Sequence, residues 1–447
     1  MITVPRTICF GFLMVILIGT ILLTLPISIR DGGWNWDHLI ISLFTSTSAV
    51  CVTGHIVVDT ATYFSPIGQF FIAALIQVGG LGYMTATTFL LLLLGKRFKL
   101  KDKVALQQAL DRTEIHGANQ LIISIIATTL IFELTGTFLL LWVFGSQYGL
   151  DRALGLALFH SISAWNNAGF SLFSDNLIGY QSSLAINIII PGLIVFGGIG
   201  YDTIFELYLW LRDRIHRKPR CISLSLNFKV AVSTTLALLG VGTLAFFLVE
   251  SRNLHTLGQL PLSTQIYAAW FQSVTPRTAG FNTIDISKMT TAGLFITIAL
   301  MFIGGSPGGT AGGIKTTTLR VLTSCTKTIL QGREEVGLYE REIPLSLILK
   351  AIGVAVSSLM VVIAMTTVIS LSDPQIDFIR ILFEVVSAFG TVGLSTGITA
   401  TLSTTAKLIL VATMYIGRVG ILLLMSAWIG EPKQSFVHYP EEDLLVG

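Results

Sequence analysis

Four short segments of the chain share a residue pattern that suits the coordination of a partly dehydrated cation. Each begins with Phe, has Ser or Thr four residues later and ends in Gly, and the third is one residue shorter. They run Phe44–Gly54, Phe159–Gly169, Phe271–Gly280 and Phe383–Gly393. Glycine adopts backbone dihedrals that residues with a Cβ rarely reach, so turns at these positions can aim backbone carbonyls inward. Rings of such carbonyls replace the water shell of an ion.

The last three residues of each segment form the predicted coordinating turns, named turn 1 to turn 4 in chain order. They are Val52, Thr53 and Gly54; Asn167, Ala168 and Gly169; Thr278, Ala279 and Gly280; and Thr391, Val392 and Gly393. None of these turns contains Asp or Glu, so carbonyl coordination of a monovalent ion is favoured over a divalent one. The final glycines are spaced 115, 111 and 113 residues apart, which indicates a fourfold repeat.

A second stretch, Gly304–Thr318, interrupts an otherwise apolar helix. Six glycines and one proline fall within Gly304–Gly313, which we name the Gly-rich loop. Glycine weakens helices and proline removes a backbone donor, so open backbone is predicted. Such backbone survives at membrane depth only inside protein or beside a wet cavity, which predicts a loop that faces a pore and gates it. The predicted gate residues are Gly304, Gly305, Ser306, Pro307, Gly308, Gly309, Thr310, Ala311, Gly312, Gly313, Lys315 and Arg418.

The two cations of the predicted gate have two interpretations each. An arginine at mid-membrane is costly and should face the pore interior or a partner. Arg418 is therefore either a cationic barrier and latch for the loop or a donor to helix-end carbonyls. Lys315 either contacts the loop or is an ordinary lysine at the cytoplasmic boundary.

The Gly-rich loop also approximates a phosphate-binding loop, because Gly308–Thr316 reads Gly-x-x-x-x-Gly-Ile-Lys-Thr. It misses that motif by one inserted Ile, and no strand precedes it. The motif would support a membrane-associated nucleotide-binding enzyme as an alternative. The apolar segments contain no Ser–His–acid, His-x-x-x-His or paired-carboxylate pattern. We therefore predict no enzyme activity and no nucleotide bound by this chain.

The elements that must position these residues are membrane helices. Hydrophobic residues make up 52% of the 447 residues, charged residues 12%, and the mean hydropathy is +0.77, as in a polytopic membrane protein. Crossing the hydrocarbon takes roughly 20 apolar residues. Eight runs are predicted to cross, at about Cys9–Ile29, Ser65–Leu94, Leu121–Phe144, Ser183–Leu211, Phe228–Val249, Thr291–Ile303 with its continuation past the Gly-rich loop, Leu347–Leu371 and Thr405–Trp428.

Four intervening segments are too short to span and are predicted to be re-entrant. They are His38–Val50, Ala153–Ala164, Ser263–Thr275 and Ile376–Ala388. The predicted fold is an all-α polytopic membrane protein: four repeats of span, re-entrant pore helix, filter loop and span around one central pore, with eight transmembrane spans. The repeats occupy residues 1–115, 116–226, 227–345 (with the gate at 304–313) and 346–447, the last including a cytoplasmic tail.

Lysine and arginine set the orientation of these runs. With the N-terminus inside, 20 of the 28 lysines and arginines fall on the cytoplasmic side and six outside. This excess marks the cytoplasmic face. Both termini are therefore predicted to be cytoplasmic, in a multi-pass protein of the cell inner (plasma) membrane. The same bias explains the basic segments without nucleic acid as a partner.

A glycine-containing motif follows each turn, at Gly79–Gly82, Gly197–Gly200, Gly304–Pro307 and Gly417–Gly420. Glycines in membrane helices let neighbouring helices approach closely, which is the role expected of the first two motifs. In the fourth motif, Arg418 stands where the others have glycine.

The four Phe-x-x-x-(Ser/Thr)…Gly segments and the stretch Gly304–Thr318 resemble the Trk/Ktr/HKT superfamily of potassium transporters, along the whole chain. The early first span favours the KtrB type, the membrane subunit of Ktr systems. The resemblance implies uptake of potassium ion, with sodium ion as activator or coupled ion. It implies that the four turn glycines lie in the filter and that Gly304–Gly313 blocks the pore below it.

The resemblance also implies a homodimer in membrane lipid, seated on a cytosolic nucleotide-binding regulatory ring of the KtrA type. In the HKT branch, serine at the first filter position accompanies sodium transport, so Gly54 points to potassium. A TrkH-like proton-coupled or sodium-permeable transporter is the alternative within the superfamily.

Polar residues near the turns are expected to support them. We expect Arg277 to hold turn 3 from behind, because a cation in the ion path would oppose conduction. Asn166 and Asn167, which precede Gly169, are expected to brace turn 2 by hydrogen bonds to its backbone. Glu384 is expected to begin the fourth short helix and complement its dipole. Gln77 and Glu133 are expected to hydrogen-bond between helices.

Overall fold

The computed structural model describes residues 3–30, 36–82, 85, 118–216 and 223–429. Within these ranges the regular structure is α-helical, apart from short 3₁₀ turns and a two-stranded hairpin. The 3₁₀ turns are Pro26–Ser28, Ile178–Tyr180 and Ile286–Lys288. The second half of the predicted run Ser65–Leu94 and the predicted cytoplasmic tail fall largely outside the described residues.

In the first half of the chain, a long helix is followed by a short helix and then by a third. The helices of the first quarter are α1 (Val4–Thr24), α2 (Trp36–Val50), α3 (Thr60–Tyr63) and α4 (Pro66–Leu81). Those of the second quarter are α5 (Ala118–Tyr148), α6 (Leu150–Trp165), α7 (Leu184–Ile199) and α8 (Tyr201–Ile215).

The second half of the chain has the same order of helices. The third quarter consists of α9 (Leu226–Glu250), α10 (Leu262–Val274), α11 (Thr291–Phe302), α12 (Thr316–Leu330) and an antiparallel hairpin of β1 (Gly337–Leu338) and β2 (Arg341–Glu342). The fourth consists of α13 (Leu345–Ser372), α14 (Phe378–Phe389), α15 (Thr404–Val419) and α16 (Ile421–Ile429).

Four described helices are long and apolar enough to cross a membrane: α1, α5, α9 and α13. The count rises to six if two bent pairs, α7 with α8 and α15 with α16, each form one span. Of the remaining predicted runs, α4 and α11 are apolar helices of 16 and 12 described residues. The chain is therefore a helical, multi-pass membrane protein.

Two runs predicted as unbroken spans are broken, and in this respect the prediction was wrong. The run Ser183–Leu211 bends by 102° at Gly200, and the run Thr405–Trp428 bends by 94° at Gly420. Both glycines have positive φ, at 98° and 87°, which ends a right-handed helix. Hydropathy does not report backbone dihedrals, so neither bend was predicted.

Four helices that follow the predicted turns, α4, α7, α11 and α15, each begin at a hydroxyl N-cap. The side-chain oxygen accepts a hydrogen bond from the backbone amide three residues on, at 3.0 to 3.4 Å. The capping residues are Ser65, Ser183, Thr290 and Ser403. Such a cap satisfies an otherwise unpaired amide and contributes about 1 kcal/mol. It fixes where the chain turns back into the helical layer after each predicted coordinating turn.

The short helices α2, α6, α10 and α14 lie at the centre. In α2 the segment from Phe44 to Val50 is buried throughout, as is Phe383–Phe389 in α14. The long helices instead expose apolar side chains, such as Ile131 of α5 and Leu244 of α9. An outer surface of this kind suits lipid. The short helices have 12 to 16 residues, too few to cross about 30 Å of hydrocarbon.

Candidate functional site

The four predicted turns meet at the centre of the molecule and form a closed ring. A Cβ placed on Gly54 would lie 3.0 Å from the Cα of Gly169, and one on Gly169 would lie 2.8 Å from the Cα of Gly280. A Cβ on Gly280 would strike the carbonyl of Val392, and one on Gly393 would lie 2.9 Å from the Cα of Gly54. Each turn therefore packs against the next, and turn 4 returns to turn 1. No side chain larger than hydrogen fits at the four glycine positions.

The backbone of the four turns has one shared conformation. Each final glycine has positive φ, between 68° and 88°. The residue two positions earlier also has positive φ, although it carries a side chain: Val52 at 55°, Asn167 at 57°, Thr278 at 66° and Thr391 at 50°. Residues with a Cβ rarely adopt this region, and they persist there only when the surroundings enforce it. The glycine conformation was expected from residue type, whereas the second left-handed position was not.

The recurring Ser or Thr of the sequence pattern closes turns 2, 3 and 4. In turns 2 and 4 the hydroxyls of Ser163 and Ser387 donate to the carbonyls of Phe170 and Leu394, at 2.8 and 2.7 Å. In turn 3 the hydroxyl of Thr275 donates to the carbonyl of Phe281. Each bond joins the short helix to the residue just after the turn glycine. It occupies the carbonyl beyond the turn.

The C-terminal ends of the short helices all point to this ring, because each turn begins within a few residues of its helix end. The C-terminus of an α-helix carries a partial negative charge, equivalent to about half an elementary charge. Four such ends around one centre favour a cation there. The ring thus combines close-packed backbone with an electrostatic preference for positive charge.

Close helix approach, expected at the first two glycine motifs, is observed at both of them and also at the fourth. A Cβ on Gly79, Gly197 or Gly417 would overlap a carbonyl oxygen at the end of a short helix. Those carbonyls belong to Val50, Trp165 and Phe389. Because these glycines have no side chain, α4, α7 and α15 can pack directly against the short-helix ends from which the turns begin.

The Gly-rich loop folds as a narrow-necked hairpin. At its neck the amide of Gly304 donates to the carbonyl of Ile314 at 2.8 Å, and that of Thr316 donates to Gly305 at 3.0 Å. The hydroxyls of Ser306 and Thr316 lie 2.9 Å apart and reinforce the neck. The loop is therefore an ordered structure with its own internal hydrogen bonds.

Beyond the neck, the loop reaches the second and fourth quarters of the chain. The amide of Ser306 donates to Gly198 at 2.9 Å, and the hydroxyl of Thr310 donates to Gly197 at 3.1 Å. A Cβ on Gly312 would lie 2.9 Å from a methyl carbon of Thr391 in turn 4. The loop thus lies directly against the ring of turns.

Arg418 joins the loop to the first quarter. Its guanidinium donates to the carbonyl of Thr310 in the loop and to the carbonyl of Gly79 at the end of α4. Arg418 thus contacts both the loop and a helix-end carbonyl, and its role as barrier and latch stays a prediction. Lys315 donates to the carbonyl of Ala311 at 2.7 Å. It therefore contacts the loop, which was the first of the two interpretations of this residue. A cavity of about 770 Å³ borders the loop, Lys315 and Arg418.

The expected supporting contacts are largely present. Buried Arg277 turns away from the ring and donates to the carbonyl and hydroxyl of Thr235, at 3.2 and 3.1 Å. The expected bonds from Asn166 to the backbone of turn 2 are not observed: it donates to the side chains of Gln77 and Glu133, each at 3.0 Å, and to the carbonyl of Ile162 in α6 at 2.9 Å. Gln77 donates to Glu133 at 3.2 Å. This buried network joins α4, α5 and α6 behind turn 2.

The expectation for Glu384 was wrong in its placement. Glu384 lies in the middle of α14, not at its start, so it cannot complement the N-terminal dipole. Its carboxylate accepts instead from Ser395 at 2.7 Å, the amide of Thr396 at 2.9 Å and Thr399 at 2.8 Å. It also lies 3.0 Å from Nε2 of His55, a residue that sequence reasoning did not select.

Comparison with known proteins agrees with this geometry. Residues 14–439 match the TrkH family, described as cation transport protein. The chain is 38% identical to "Ktr system potassium uptake protein B" of Bacillus subtilis, covering 100% of this chain and 97% of that protein. It is 36% identical to "Potassium/sodium uptake protein NtpJ" of Enterococcus hirae, covering 99% and 97% respectively. The crystal structure of the potassium transporter TrkH from Vibrio parahaemolyticus superposes with a TM-score of 0.69 at 20% identity, covering 94% of this chain and 86% of that one.

The fold and the ring define a multi-pass membrane protein of the cation transporter class. The chain belongs to the TrkH family of cation transport proteins. The resemblance to the Trk/Ktr/HKT superfamily, and within it to the B-type membrane subunit of Ktr systems, is thereby confirmed.

Proposed function

We propose that this protein takes up potassium through a selective pore for monovalent cations. The closed ring of turns 1 to 4 carries the proposal, because four helix C-termini and a close-packed backbone converge on one centre. The coordinating residues are the twelve of the four turns. The names of the Ktr relatives, which refer to potassium uptake, support the choice of ion.

The pore is surrounded by four repeats and eight spans. This proposal is supported by an order that recurs in each quarter: a long helix, a short helix, a turn and then a helix with a hydroxyl N-cap. In it, α4, and α11 with α12, belong to the two spans that helix length alone does not identify. Both termini are cytoplasmic, and the protein resides in the cell inner (plasma) membrane.

The Gly-rich loop blocks the pore below the ring, and Arg418 and Lys315 hold it there. The contacts of Arg418 with Thr310 and of Lys315 with Ala311 support this role. Opening requires the loop to move away from the ring. A homodimer, with one pore in each subunit, is seated on a cytosolic nucleotide-binding ring that controls this movement. The "Ktr system" names of the relatives support a multi-component assembly.

Sodium ion activates or accompanies the uptake of potassium. A second candidate is a sodium-permeable transporter of the same family, favoured by the name of the relative from Enterococcus hirae, which mentions both ions. The two candidates differ in whether sodium itself passes through the ring.

Rubidium uptake into potassium-loaded liposomes tests the proposal. The purified chain is reconstituted with and without external sodium, and potassium, sodium or calcium is added as competitor. Selective uptake predicts block by potassium, no block by calcium, and stimulation by low sodium. Equal block by sodium and potassium would favour the second candidate. Absence of rubidium uptake both from the full-length chain and from a variant with a shortened Gly-rich loop would contradict the proposal.

A further inference from the structure

Turn 1 differs from the other three in how it is closed. Turns 2, 3 and 4 each have a Ser or Thr hydroxyl bonded to the carbonyl just beyond the glycine. The equivalent residue of turn 1 is Ser48, whose buried hydroxyl has no hydrogen-bond partner within the described part of the chain. Turn 1 therefore lacks the hydroxyl-to-carbonyl hydrogen bond that the other three turns share.

The residue after the glycine also differs in turn 1. Turns 2 and 3 have Phe at this position and turn 4 has Leu, whereas turn 1 has His55. The imidazole of His55 is fully buried, and its Nε2 lies 3.0 Å from Oε2 of Glu384, itself 1% exposed. The two atoms are within ion-pair distance but lack the geometry of a hydrogen bond, and neither ring nitrogen of His55 has a hydrogen-bond partner among the described residues.

The other partners of Glu384 come from the segment that follows turn 4. Ser395, Thr396 and Thr399 supply hydroxyl and amide donors to its two oxygens, at 2.7 to 3.2 Å. One carboxylate thus holds the outer side of turn 4 and, through His55, the outer side of turn 1. Gly393 and Gly54 are in close contact, so this link spans the junction where the ring closes.

We propose that His55 and Glu384 are positioning residues that set the ion selectivity of the ring. The contact of His55 with Glu384 takes the place of the hydrogen bond that Ser48 does not make. It holds the carbonyls of turn 1 at the spacing that suits potassium, the larger of the two ions. Without it turn 1 relaxes, and the ring accepts the smaller sodium ion more readily. This inference rests on the proposed function, because it assumes an ion path through the ring.

The test compares initial uptake of rubidium and of sodium by variants of the full chain in potassium-loaded liposomes. His55→Leu and His55→Phe introduce the residue types that stand at this position in the other turns. We expect each to lower the rubidium-to-sodium ratio about tenfold, as the loss of a close contact to a buried carboxylate can do. His55→Gln, whose amide can donate to Glu384, should restore the ratio to within about twofold of the original protein.

Glu250→Gln is the matched control. Glu250 is also a fully buried carboxylate surrounded by donors, but those donors come from Asn253, Thr256 and Thr290, away from the ring. It should leave the ion ratio unchanged while lowering thermal stability, which separates selectivity from general destabilisation.

The outcomes distinguish the inference from the function on which it rests. An unchanged ion ratio in folded His55→Leu or His55→Phe protein would overturn the inference, provided that the original protein takes up rubidium. Absence of uptake by the original protein and by its shortened-loop variant would instead refute the proposed function. If neither apolar variant is monodisperse, Glu384→Asp, which withdraws the carboxylate by one methylene, replaces them: a lowered ratio supports the inference and an unchanged ratio overturns it.

Discussion

The guanidinium of Arg418 donates a hydrogen bond to the carbonyl of Thr310, in the middle of the Gly-rich loop. The same guanidinium donates to Gly79, at the end of α4. A single side chain on α15 therefore connects the loop to a helix of the first quarter. Because hydrogen bonds from a charged donor are among the stronger ones in proteins, this arrangement is suited to a latch.

Arg418→Ala should raise the rubidium uptake of the chain in the absence of any regulatory partner. The substitution removes both contacts of the guanidinium, so the loop loses one of its attachments. We expect an increase of about tenfold, as for the loss of one or two charge-assisted hydrogen bonds. Arg380→Ala, at a partly exposed position on α14, is the control and should leave uptake unchanged. Unaltered uptake in folded Arg418→Ala protein would contradict the latch.

Deletion of residues 309–312 should also raise basal uptake. These residues form the part of the loop that contacts Gly197 through Thr310 and turn 4 through Gly312. Their removal shortens the obstruction while the neck between Gly304 and Ile314 can still close. Uptake and elution by size-exclusion chromatography are measured together. Equal or lower uptake by well-folded protein would argue against a blocking role.

Gly54→Ser should reduce selectivity for potassium over sodium. Gly54 has φ of 84°, and an added Cβ would collide with the carbonyl of Ala168 in the neighbouring turn. The ring must shift to admit it, so the spacing of the carbonyls changes. The rubidium-to-sodium uptake ratio measures the effect. Gly240→Ser, where an added Cβ meets nothing within 4 Å, should leave the ratio intact. An unchanged ratio for Gly54→Ser would remove turn 1 from the ion path.

Glu250→Gln should lower stability by about 1–3 kcal/mol, the usual effect of leaving buried donors without their charged acceptor. Glu250 accepts from Asn253, from Thr256 and from both the amide and the hydroxyl of Thr290, so it joins the end of α9 to the start of α11. Thermal unfolding in detergent measures the change. A melting temperature equal to that of the original protein would show that these hydrogen bonds are dispensable.

Much of the fold could be predicted because it depends on local composition. All eight ends of the short helices were predicted to within three residues; Ala153–Ala164, for example, is observed as Leu150–Trp165. The turn glycines were found because only glycine combines positive φ with such close backbone packing. The bends at Gly200 and Gly420 were missed because an apolar run looks continuous whatever its dihedrals.

The remaining features depend on contacts between distant parts of the chain. The left-handed conformation of Val52 is imposed by the ring around it, since its residue type favours the opposite. The contact of His55 with Glu384 joins the first and last quarters of the sequence, and neither neighbourhood alone indicates it. Glu384 was assigned to a helix start although the predicted segment Ile376–Ala388, like the observed helix Phe378–Phe389, begins well before it. Sequence patterns identify the ring, whereas only the assembled structure identifies what holds it.

The most direct measurement is the position of bound rubidium in crystals of the protein grown in a rubidium salt, located by anomalous scattering. If the four turns coordinate the transported ion, an anomalous peak lies at the centre of the ring, and it weakens when potassium replaces rubidium. It is surrounded by backbone carbonyls of Thr53, Ala168, Ala279 and Val392, the residues that precede the four glycines. A peak outside the ring, with none inside it, from protein that takes up rubidium would contradict the assignment of the ion path.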